Sequence, residues 1–411
     1  MATAPPPEEF LGTSQAAAWL GVKPATVYAY VSRGLLPRVR GEDRRSRFAV
    51  NDLERVSAGL GPSQRWLSAD TVRSRLTTVR DGSLHYRQLD AVTLAQTASF
   101  EEAAEWLWTG ERHSQAVWEA DPAAVELGSA VQRQLPASTL PLDRLHVGAA
   151  ANALTDPLRY QVRGRAAILT GRQLISSLVD SLPELAPSRR PNSAATNQAL
   201  AGRLWSRLTS QPITSPGERA TNAALVLLLD HDLSLSALAA RMAASIGADP
   251  YSVVSVGLSA LGAPFHSVAS LAAEDLLAEI AEPDRAAALV GDRLRRGDRL
   301  PGFGHRLHPG GDPRATLLLR LTAEFAPQAE RLKVAEEVIA VTARLGLPPP
   351  NIDFALAALV SVSGMVRGAS EAIFGLARCA GWIAHAIDAY GSVEGGGAAA
   401  TGTDPRTTPE R

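Results

Sequence analysis

Apolar residues recur at helical spacing along most of the chain that follows residue 66. One representative stripe has members three or four residues apart, which would place them on one face of a helix. It consists of Ile373, Ala377, Ala380, Ala384 and Ile387. In the same segment Glu371, Arg378 and His385 are seven residues apart, so they would share a narrow polar face of that helix. The pattern predicts a mainly α-helical fold.

Polar residues at the ends of these stretches predict where helices begin and stop. Ser99 shortly precedes the acidic pair Glu101 and Glu102, which favours a helix start because serine caps an N-terminus and acids suit the first turn. Strand signals are few, and 83–87 is the best candidate for a short hairpin strand. Breaks that contain Pro or Gly separate the predicted helices at 186–191, 211–217 and 347–350.

Composition divides the chain into four parts. The first holds alternating helical and basic stretches, and the second has turn formers with little periodicity, as in a linker. The third is rich in Ala and Leu, and the fourth is a glycine-rich tail that cannot bury a core and is expected to be disordered. We predict these parts at residues 1–58, 59–66, 67–391 and 392–411.

Bulk properties exclude several protein classes. With 411 residues, 45% of them hydrophobic, the chain can bury a large core, and its net charge of −1 argues against binding nucleic acid over the whole surface. The single cysteine excludes an internal disulfide framework. The uncharged stretch 251–273 is long enough to span a membrane, but its serines, Pro264 and His266 favour a buried segment that ends in a functional loop. The N-terminus lacks a secretory pattern, so we expect a cytoplasmic protein without membrane contact.

Short runs around three residues carry most of the functional signal. They are His266 in Gly-Ala-Pro-Phe-His, His305 in Gly-Phe-Gly-His-Arg and Asp353 in Asn-Ile-Asp-Phe. The second run continues to Asp-Pro-Arg-Ala, which places the cation of Arg314 nine residues after the histidine. Glycines beside a histidine let the backbone approach a ligand closely. A carboxylate with two imidazoles can take a proton from carbon and give one to oxygen.

Together these runs resemble the active-site segments of the citrate synthase family, and the resemblance extends from about residue 71 to residue 390. It implies large and small helical domains, the small one at roughly 268–358, and a homodimer. The implied reaction joins the methyl carbon of acetyl-CoA, or the corresponding carbon of propionyl-CoA, to the keto carbon of oxaloacetate. Hydrolysis of the thioester then gives citrate or 2-methylcitrate. The coenzyme A thioester is a substrate, and no cofactor is implied.

The resemblance also implies a role for each matching residue. Asp353 would be the general base, His266 would donate a hydrogen bond to the enolate oxygen, and His305 would give a proton or a strong hydrogen bond to the keto oxygen. The two carboxylates of oxaloacetate require paired cations. The residues that match the family's oxaloacetate contacts are His231, Arg314 and Arg378, and Arg306 matches its coenzyme A loop.

Three departures from the family pattern leave a second function open. Ser267 and Val268 follow His266 where the family has two glycines, and 309–311 replaces a tract in which the family usually has a lysine. The family's C-terminal Arg-Pro-Arg segment, which sends an arginine into the partner subunit's site, is absent. The alternative is a DNA-binding transcriptional regulator whose weak or silent synthase-like body senses a keto acid or an acyl-CoA.

Several of these residues also have simple structural explanations. Asp353 could be the N-cap of the helix that follows it, and Arg314 could be a surface residue. His305 and His308 are three residues apart, but no third ligand accompanies them in the sequence, so we predict no metal site. Cys379 is interpreted as a small buried hydrophobic residue rather than a reactive thiol.

The first part of the chain predicts a separate module. Two helical stretches at 12–22 and 23–36 precede a basic hairpin candidate at 38–47 and a closing helix from Asn51. This order resembles the winged helix-turn-helix of the mercury-resistance-regulator and excisionase type, and it implies DNA as a partner. The residues predicted to contact DNA are Thr26, Tyr28, Arg33, Arg44, Arg45 and Arg47. A helical protein-interaction module with a solvated arginine loop is the alternative.

Overall fold

The structure is a computed structural model. It describes residues 10–20, 22–32, 36–40, 46–50, 52–53, 76–80, 82–112, 117–185, 199–263 and 268–397. The chain divides into two compact units, Met1–Ser74 and Arg75–Arg411, called here the N-terminal unit and the body. The predicted linker at 59–66 lies outside the described residues.

The N-terminal unit joins two short helices to a small antiparallel sheet. Its elements are β1 (Phe10–Gly12), α1 (Thr13–Trp19), α2 (Pro24–Ser32), β2 (Val39–Arg40) and β3 (Ser46–Ala49). The strand order is β1-β3-β2, so the two strands of the predicted hairpin are confirmed as the antiparallel pair β2 and β3, while their connection at 41–45 lies outside the described residues. Strand β1 is an addition that periodicity does not predict. Pro24 opens α2, where its missing N–H leaves no helical hydrogen bond unmade. The buried core of the unit consists of Ala16, Ala17, Val27, Leu36, Phe48 and Leu53.

Helices make up most of the body, which confirms the mainly α fold. In chain order they are α3 (Ala91–Thr97), α4 (Phe100–Thr109), α5 (Pro122–Gln132), α6 (Pro141–Asn152), α7 (Arg165–Ser181), α8 (Leu200–Leu208), α9 (Ser215–Leu227), α10 (Leu235–Ser245), α11 (Pro250–Leu261), α12 (Val268–Glu279), α13 (Ala286–Arg295), α14 (Pro313–Phe325), α15 (Glu330–Arg344), α16 (Ile352–Val362) and α17 (Ala369–Gly397). Among the described residues, no helix combines the length and the apolar character that crossing a membrane requires.

A three-stranded antiparallel sheet precedes these helices. Its strands are β4 (Thr77–Arg80), β5 (Ser83–Tyr86) and β6 (Leu89–Asp90). The strand predicted at 83–87 is confirmed as β5 except at Arg87, which turns the chain with a φ of 56°. The Arg87 guanidinium donates to the carbonyl oxygens of Leu107 and Trp108 at 3.0 and 3.1 Å. These carbonyls lie at the end of α4, where helical partners are lacking.

The predicted start of α4 is confirmed by a reciprocal cap. Ser99 Oγ accepts a hydrogen bond from the N–H of Glu102 at 3.1 Å, and the Glu102 carboxylate accepts from the N–H of Ser99 at 3.0 Å. This pair satisfies two backbone donors that the beginning of a helix otherwise leaves open.

The body has two apolar cores, and α17 runs through the larger. The smaller core is drawn from residues between 273 and 358. Along α17 the predicted apolar stripe is buried or partly buried, but Glu371, Arg378 and His385 are also 6%, 3% and 0% exposed. The polar face of this helix is therefore internal, which the sequence pattern alone does not reveal.

The C-terminal boundary differs from the predicted one. The tail is predicted to start at residue 392, whereas α17 runs to Gly397. A helix that is already formed extends at little cost, because each further residue adds a backbone hydrogen bond. Residues 398–411 lie outside the described residues.

Candidate active site

A cavity of about 270 Å³ lies among α12, α16, α17 and the loop that precedes α14. Its polar lining consists of His231, Asp232, Ser234, Ser270, His305, Arg306, Arg314, Asp353, Glu371 and Arg378. The residues that the sequence predicts for the catalytic and substrate sites of the body are all in this lining, apart from His266. That histidine lies at 264–267, outside the described residues.

A glycine brings His305 next to the helix that carries Asp353. Gly302 has a φ of 82°, and a Cβ there would lie 2.7 Å from the Cβ of Phe354, so a side chain does not fit. The N–H of Asn351 donates to the Gly302 carbonyl oxygen at 2.8 Å. The sequence predicts that such glycines approach a ligand. Here Gly302 instead lets the histidine loop pack against the first turn of α16.

Asp353 lies in the first turn of α16 and faces the cavity. The N-cap is Asn351, whose side-chain oxygen accepts from the N–H of Asp353 at 2.9 Å. The structural explanation of Asp353 as a helix cap is therefore wrong. Ser270 Oγ donates to Asp353 Oδ1 at 2.5 Å. Burial raises the pKa of Asp353, and the hydrogen bond from Ser270 and the charge of Arg314 oppose this rise only in part.

His305 presents a hydrogen-bond donor to the cavity. Its Nδ1 accepts a hydrogen bond from the N–H of Leu307 at 3.1 Å, so in the neutral ring the proton is on Nε2. Burial, together with the nearby charge of Arg314, lowers the pKa of His305 to about 4. At neutral pH this histidine is therefore a neutral donor rather than an imidazolium acid.

A third imidazole, His308, lies behind His231. His308 is 2% exposed and His231 is 8% exposed. The two Nε2 atoms are 3.2 Å apart, and Nδ1 of His308 lies 2.7 Å from the carbonyl oxygen of Gly82. Burial, followed by the charge of Arg314, lowers the pKa of both rings. Both histidines are thus neutral in the ligand-free protein.

Arg314 is buried and paired with Asp312. Two nitrogens of its guanidinium donate to the two carboxylate oxygens of Asp312, Nε at 3.0 Å and Nη2 at 2.8 Å. Burial alone would raise the pKa of Asp312, but the attraction of Arg314 outweighs it, and the pKa is lowered. With Arg314 only 2% exposed, its interpretation as a surface residue is wrong. The bidentate contact fixes the orientation of this cation.

Arg378 lies on the internal face of α17. Its guanidinium is 4.9 Å from the centroid of the Phe374 ring, within the range of a cation–π contact. Its Nη1 is 3.8 Å from Oδ1 of Asp230, a longer ion pair than that of Arg314. Burial lowers the pKa of Arg378, and Asp230 opposes this effect.

Close packing places Asp230 beside α17. A Cβ at Gly381 would lie 2.3 Å from the carbonyl oxygen of Leu229, so glycine is required for this approach. Asp230 Oδ2 accepts from Thr77 Oγ1 at 2.8 Å and lies 3.2 Å from Nε2 of His385. Burial would raise the pKa of Asp230, but the charges and hydrogen bonds of its partners lower it. Asp230 is therefore a fixed anion beside Arg378.

The three histidines also have the composition of a metal site. One nitrogen from each of His231, His305 and His308 lies within 4.8 Å of the others. The fold therefore brings a third histidine to His305 and His308 that does not lie near them in the sequence. Two features oppose a metal ion. First, Nε2 of His305 would have to lose its proton to become a ligand, although Nδ1 of the same ring already accepts a hydrogen bond from the N–H of Leu307. Second, the buried positive charge of Arg314 would repel a divalent cation. The contacts of the three histidines therefore fit a hydrogen-bonded cluster better than a metal site.

The other predicted residues have varied positions. Arg306 lines the cavity and is exposed. In the N-terminal unit Tyr28 is 46% exposed and Arg47 is exposed, whereas Thr26 is partly buried. Cys379 is fully buried, as predicted, and burial raises the pKa of its thiol. Three predicted DNA contacts lie outside the described residues, namely Arg33, Arg44 and Arg45.

Sequence reasoning missed the partners of the predicted residues. Asp230 and Asp312 had a signal, since they lie within two positions of His231 and Arg314. Ser270 had none, because the residue that it contacts, Asp353, is 83 positions away.

Comparisons with known proteins establish the family. Residues 68–394 match the family of the citrate synthase C-terminal domain, so this chain belongs to the citrate synthase family. Citrate synthase 2 of Bacillus subtilis is 25% identical over 336 residues, which cover 77% of this chain and 89% of that protein. 2-Methylcitrate synthase 2 of Corynebacterium glutamicum is 25% identical over 339 residues, which cover 75% and 85%. Residues 10–56 match a helix-turn-helix domain family.

Solved structures share the fold. Citrate synthase from Thermotoga maritima has a TM-score of 0.62 at 24% identity, covering 82% of this chain and 92% of that chain. A ternary complex of citrate synthase from Thermoplasma acidophilum with carboxymethyl coenzyme A and oxaloacetate has a TM-score of 0.61 at 22% identity, covering 82% and 94%. The predicted fold class, citrate-synthase-like helical domains after a helix-turn-helix region, is confirmed.

Proposed function

We propose that the body is a citrate synthase-type acyltransferase that condenses acetyl-CoA or propionyl-CoA with oxaloacetate. The observation that carries the proposal is one cavity that holds a basic carboxylate, a neutral imidazole donor and two buried arginines. These groups are Asp353, His305, Arg314 and Arg378. The Thermoplasma acidophilum relative forms a ternary complex with carboxymethyl coenzyme A and oxaloacetate, which supports a coenzyme A compound and oxaloacetate as the ligands of this cavity.

In the proposed reaction Asp353 takes a proton from the carbon next to the thioester carbonyl. Its raised pKa makes it a stronger base than an ordinary aspartate. The developing enolate oxygen needs a donor at the same moment, and the resemblance assigns this role to His266. The enolate carbon then attacks the keto carbon of oxaloacetate, and the keto oxygen becomes a hydroxyl by taking the proton from Nε2 of His305. Asp353 gives up its proton to water and His305 regains one from water, so the net transfer is one proton from carbon to oxygen. Hydrolysis of the thioester releases coenzyme A.

Arg314 and Arg378 bind the two carboxylates of oxaloacetate in this proposal. The partly paired Arg378 has the larger unsatisfied charge, since its carboxylate neighbour is 3.8 Å away. Arg306, exposed at the cavity, is proposed to contact coenzyme A. No metal ion and no bound cofactor take part.

Release of coenzyme A tests the proposal. Purified full-length protein is given acetyl-CoA or propionyl-CoA with oxaloacetate, and wild type is compared with Asp353→Ala. We expect release in wild type, and its loss by a factor of about a hundred or more in the variant. Equal background rates in both proteins would reject the enzyme.

A homodimer in the cytoplasm is part of the proposal. Three apolar side chains, Leu235, Met242 and Ile246, are 70%, 41% and 85% exposed along α10 and its end. An apolar stripe of this kind favours self-association. Sedimentation of wild type and Ile246→Glu checks it, because the charged variant should be shifted toward monomer.

We propose as a second candidate that the N-terminal unit binds DNA and that the chain acts as a metabolite-responsive regulator. The observations that favour it are the two helices followed by a strand pair between Phe10 and Ala49, the match of 10–56 to a helix-turn-helix family and the exposure of Tyr28 and Arg47. Titration of labelled genomic fragments at several salt concentrations tests it. Phosphate contacts predict a steep fall in affinity with salt, and binding that ignores salt would reject this role.

A further inference from the structure

His308 has no role in the proposed reaction, although both of its ring nitrogens lie at hydrogen-bond distance from a partner. Its Nδ1 is 2.7 Å from the carbonyl oxygen of Gly82, in the turn between β4 and β5. Its Nε2 is 3.2 Å from Nε2 of His231, a residue of the cavity lining. These partners are 226 and 77 positions away, so the fold rather than the local sequence builds the chain of contacts.

The Gly82 contact determines where the protons are. A carbonyl oxygen only accepts hydrogen bonds, so Nδ1 of His308 carries a proton. While His308 is neutral, its Nε2 is a bare acceptor, and the bond to it comes from Nε2–H of His231. Neutral His231 then has a bare Nδ1, which makes no hydrogen bond with any residue in the described part of the chain. In this state His231 can offer a ligand only an acceptor.

Oxaloacetate does not suit that state. Its carboxylate and keto oxygens are acceptors, and a bare nitrogen facing an oxygen is unfavourable. One added proton reverses the direction of the hydrogen bond between His231 and His308. His308 then donates from both nitrogens, His231 accepts at Nε2, and the proton of His231 is on Nδ1, where it can donate to a carboxylate.

The charges around the pair keep this proton away until a dianion binds. Among the described residues, the groups whose charge acts on the two rings include Arg314, Arg378, His305 and Asp312, and the charge of Arg306 acts on His305. Burial and the guanidinium charges disfavour an imidazolium, and the single carboxylate of Asp312 offsets only part of this effect. A dianion bound to both arginines would cancel their charge and favour protonation of the pair.

We propose that His308 is a positioning residue that acts through His231: binding of a keto dicarboxylate is coupled to uptake of one proton, which converts His231 into a donor. This inference rests on the proposed function, which supplies the substrate class. By linkage, affinity for the dianion falls as pH rises, by up to about tenfold per pH unit while the free pair is neutral and the bound pair is protonated.

Isothermal titration of oxaloacetate into the full-length protein, in buffers of different ionisation enthalpy, measures the proton uptake without requiring condensation. Near a pH of about 7.5 we expect about one proton per site in wild type. His308→Gln keeps hydrogen-bonding atoms but cannot be protonated. It should take up close to no proton, because its neutral amide can donate to Nε2 of His231 without being charged, and the pH dependence of the dissociation constant should be lost.

The matched control is His146→Gln. His146 lies on α6, is 3.1 Å from Ser259 Oγ and is outside the cavity lining, so wild-type uptake should persist. Binding without proton uptake in wild type, or unchanged uptake in His308→Gln, overturns the inference and leaves the proposed function intact.

Failure of the proposed function gives a different result. Wild type would then release no coenzyme A, and the coupling fails with the proposed function only where oxaloacetate does not bind either. Nitrogen NMR of the imidazole rings in the ligand-free protein then tests the hydrogen-bond chain itself. It should show protons on Nδ1 of His308 and Nε2 of His231, and a bare Nε2 on His231 would overturn the chain.

Discussion

Two groups of residues at the cavity hold their charges in different ways. Arg314 and Arg378, with their carboxylate neighbours Asp312 and Asp230, are called here the arginine end, and Asp353 with Ser270 is called the base end. At the arginine end each cation has a buried carboxylate beside it. At the base end the carboxylate of Asp353 receives a hydrogen bond from a neutral hydroxyl. The pKa of Asp312 and of Asp230 is lowered, and that of Asp353 is raised.

The difference shows that the hydrogen-bond or ion-pair partner of a buried carboxylate, rather than its burial, decides whether its pKa is raised or lowered. All three are largely enclosed by protein, and burial alone would raise the pKa of each. A carboxylate beside a guanidinium is a fixed counter-charge and a poor proton acceptor. A carboxylate with one hydroxyl donor retains basicity. One cavity can therefore combine anion binding with proton abstraction.

Pairing also makes the arginine end part of the fold. Removing one partner of a buried pair leaves an uncompensated charge, which costs about 3–5 kcal/mol of stability. Variants at this end should keep the charge if binding is to be measured in a folded protein. Variants at the base end have no such constraint.

The largest expected effect separates the two ends. Asp353→Asn keeps the size and polarity of the side chain but removes the base, so we expect kcat for coenzyme A release to fall by about a thousandfold. Oxaloacetate affinity should change by less than about threefold, because the arginines are untouched. Steady-state kinetics and calorimetry measure the two quantities.

A parallel loss of kcat and oxaloacetate affinity in this variant would break the comparison. It would mean that the two ends act as one binding site. Thermal unfolding of the same preparation checks that the loss does not come from the fold.

The next effect is expected from Arg378→Lys, which keeps the charge and loses the planar fork. Lysine cannot reproduce the contact with a carboxylate or the stacking on Phe374. We expect KM for oxaloacetate to rise by about thirtyfold, the equivalent of about 2 kcal/mol, with a smaller change in kcat. Arg320→Lys, on an exposed pair with Glu324, is the matched control. A variant that loses kcat but keeps its KM would place Arg378 in the chemical step.

Much of the fold was predictable because helices follow local patterns. The stripe on α17 and the cap at Ser99 each depend on neighbours a few positions away, and both were read correctly. The burial of the polar face of α17 was not predicted, because the spacing and polarity of residues along a helix do not show what packs against it. Of the three-stranded sheet only β5 was predicted, whereas β4 and the two-residue strand β6 were not.

The residues of the site were easier to find than their contacts. Short runs identified Asp353 and His305, which the structure places at one cavity. Three contacts join segments that are far apart in sequence. They are Gly302 with α16, His308 with His231, and the Ser270 hydroxyl with Asp353. No local pattern specifies such pairs, since they follow from how the helices pack.

The smallest expected effect is at Ser270. Its hydroxyl stabilises the ionised form of Asp353, so Ser270→Ala should raise the pKa of this carboxylate further. Activity needs the ionised base and is lost as pH falls through that pKa, so the acidic limb of the kcat profile should move to higher pH. On the acidic side we expect about a tenfold loss of rate, comparable to one hydrogen bond to a charged group. At high pH the rate should approach that of wild type. Ser270→Thr, which retains a hydroxyl, should restore the limb. An acidic limb that stays in place in Ser270→Ala would show that this serine does not control the base.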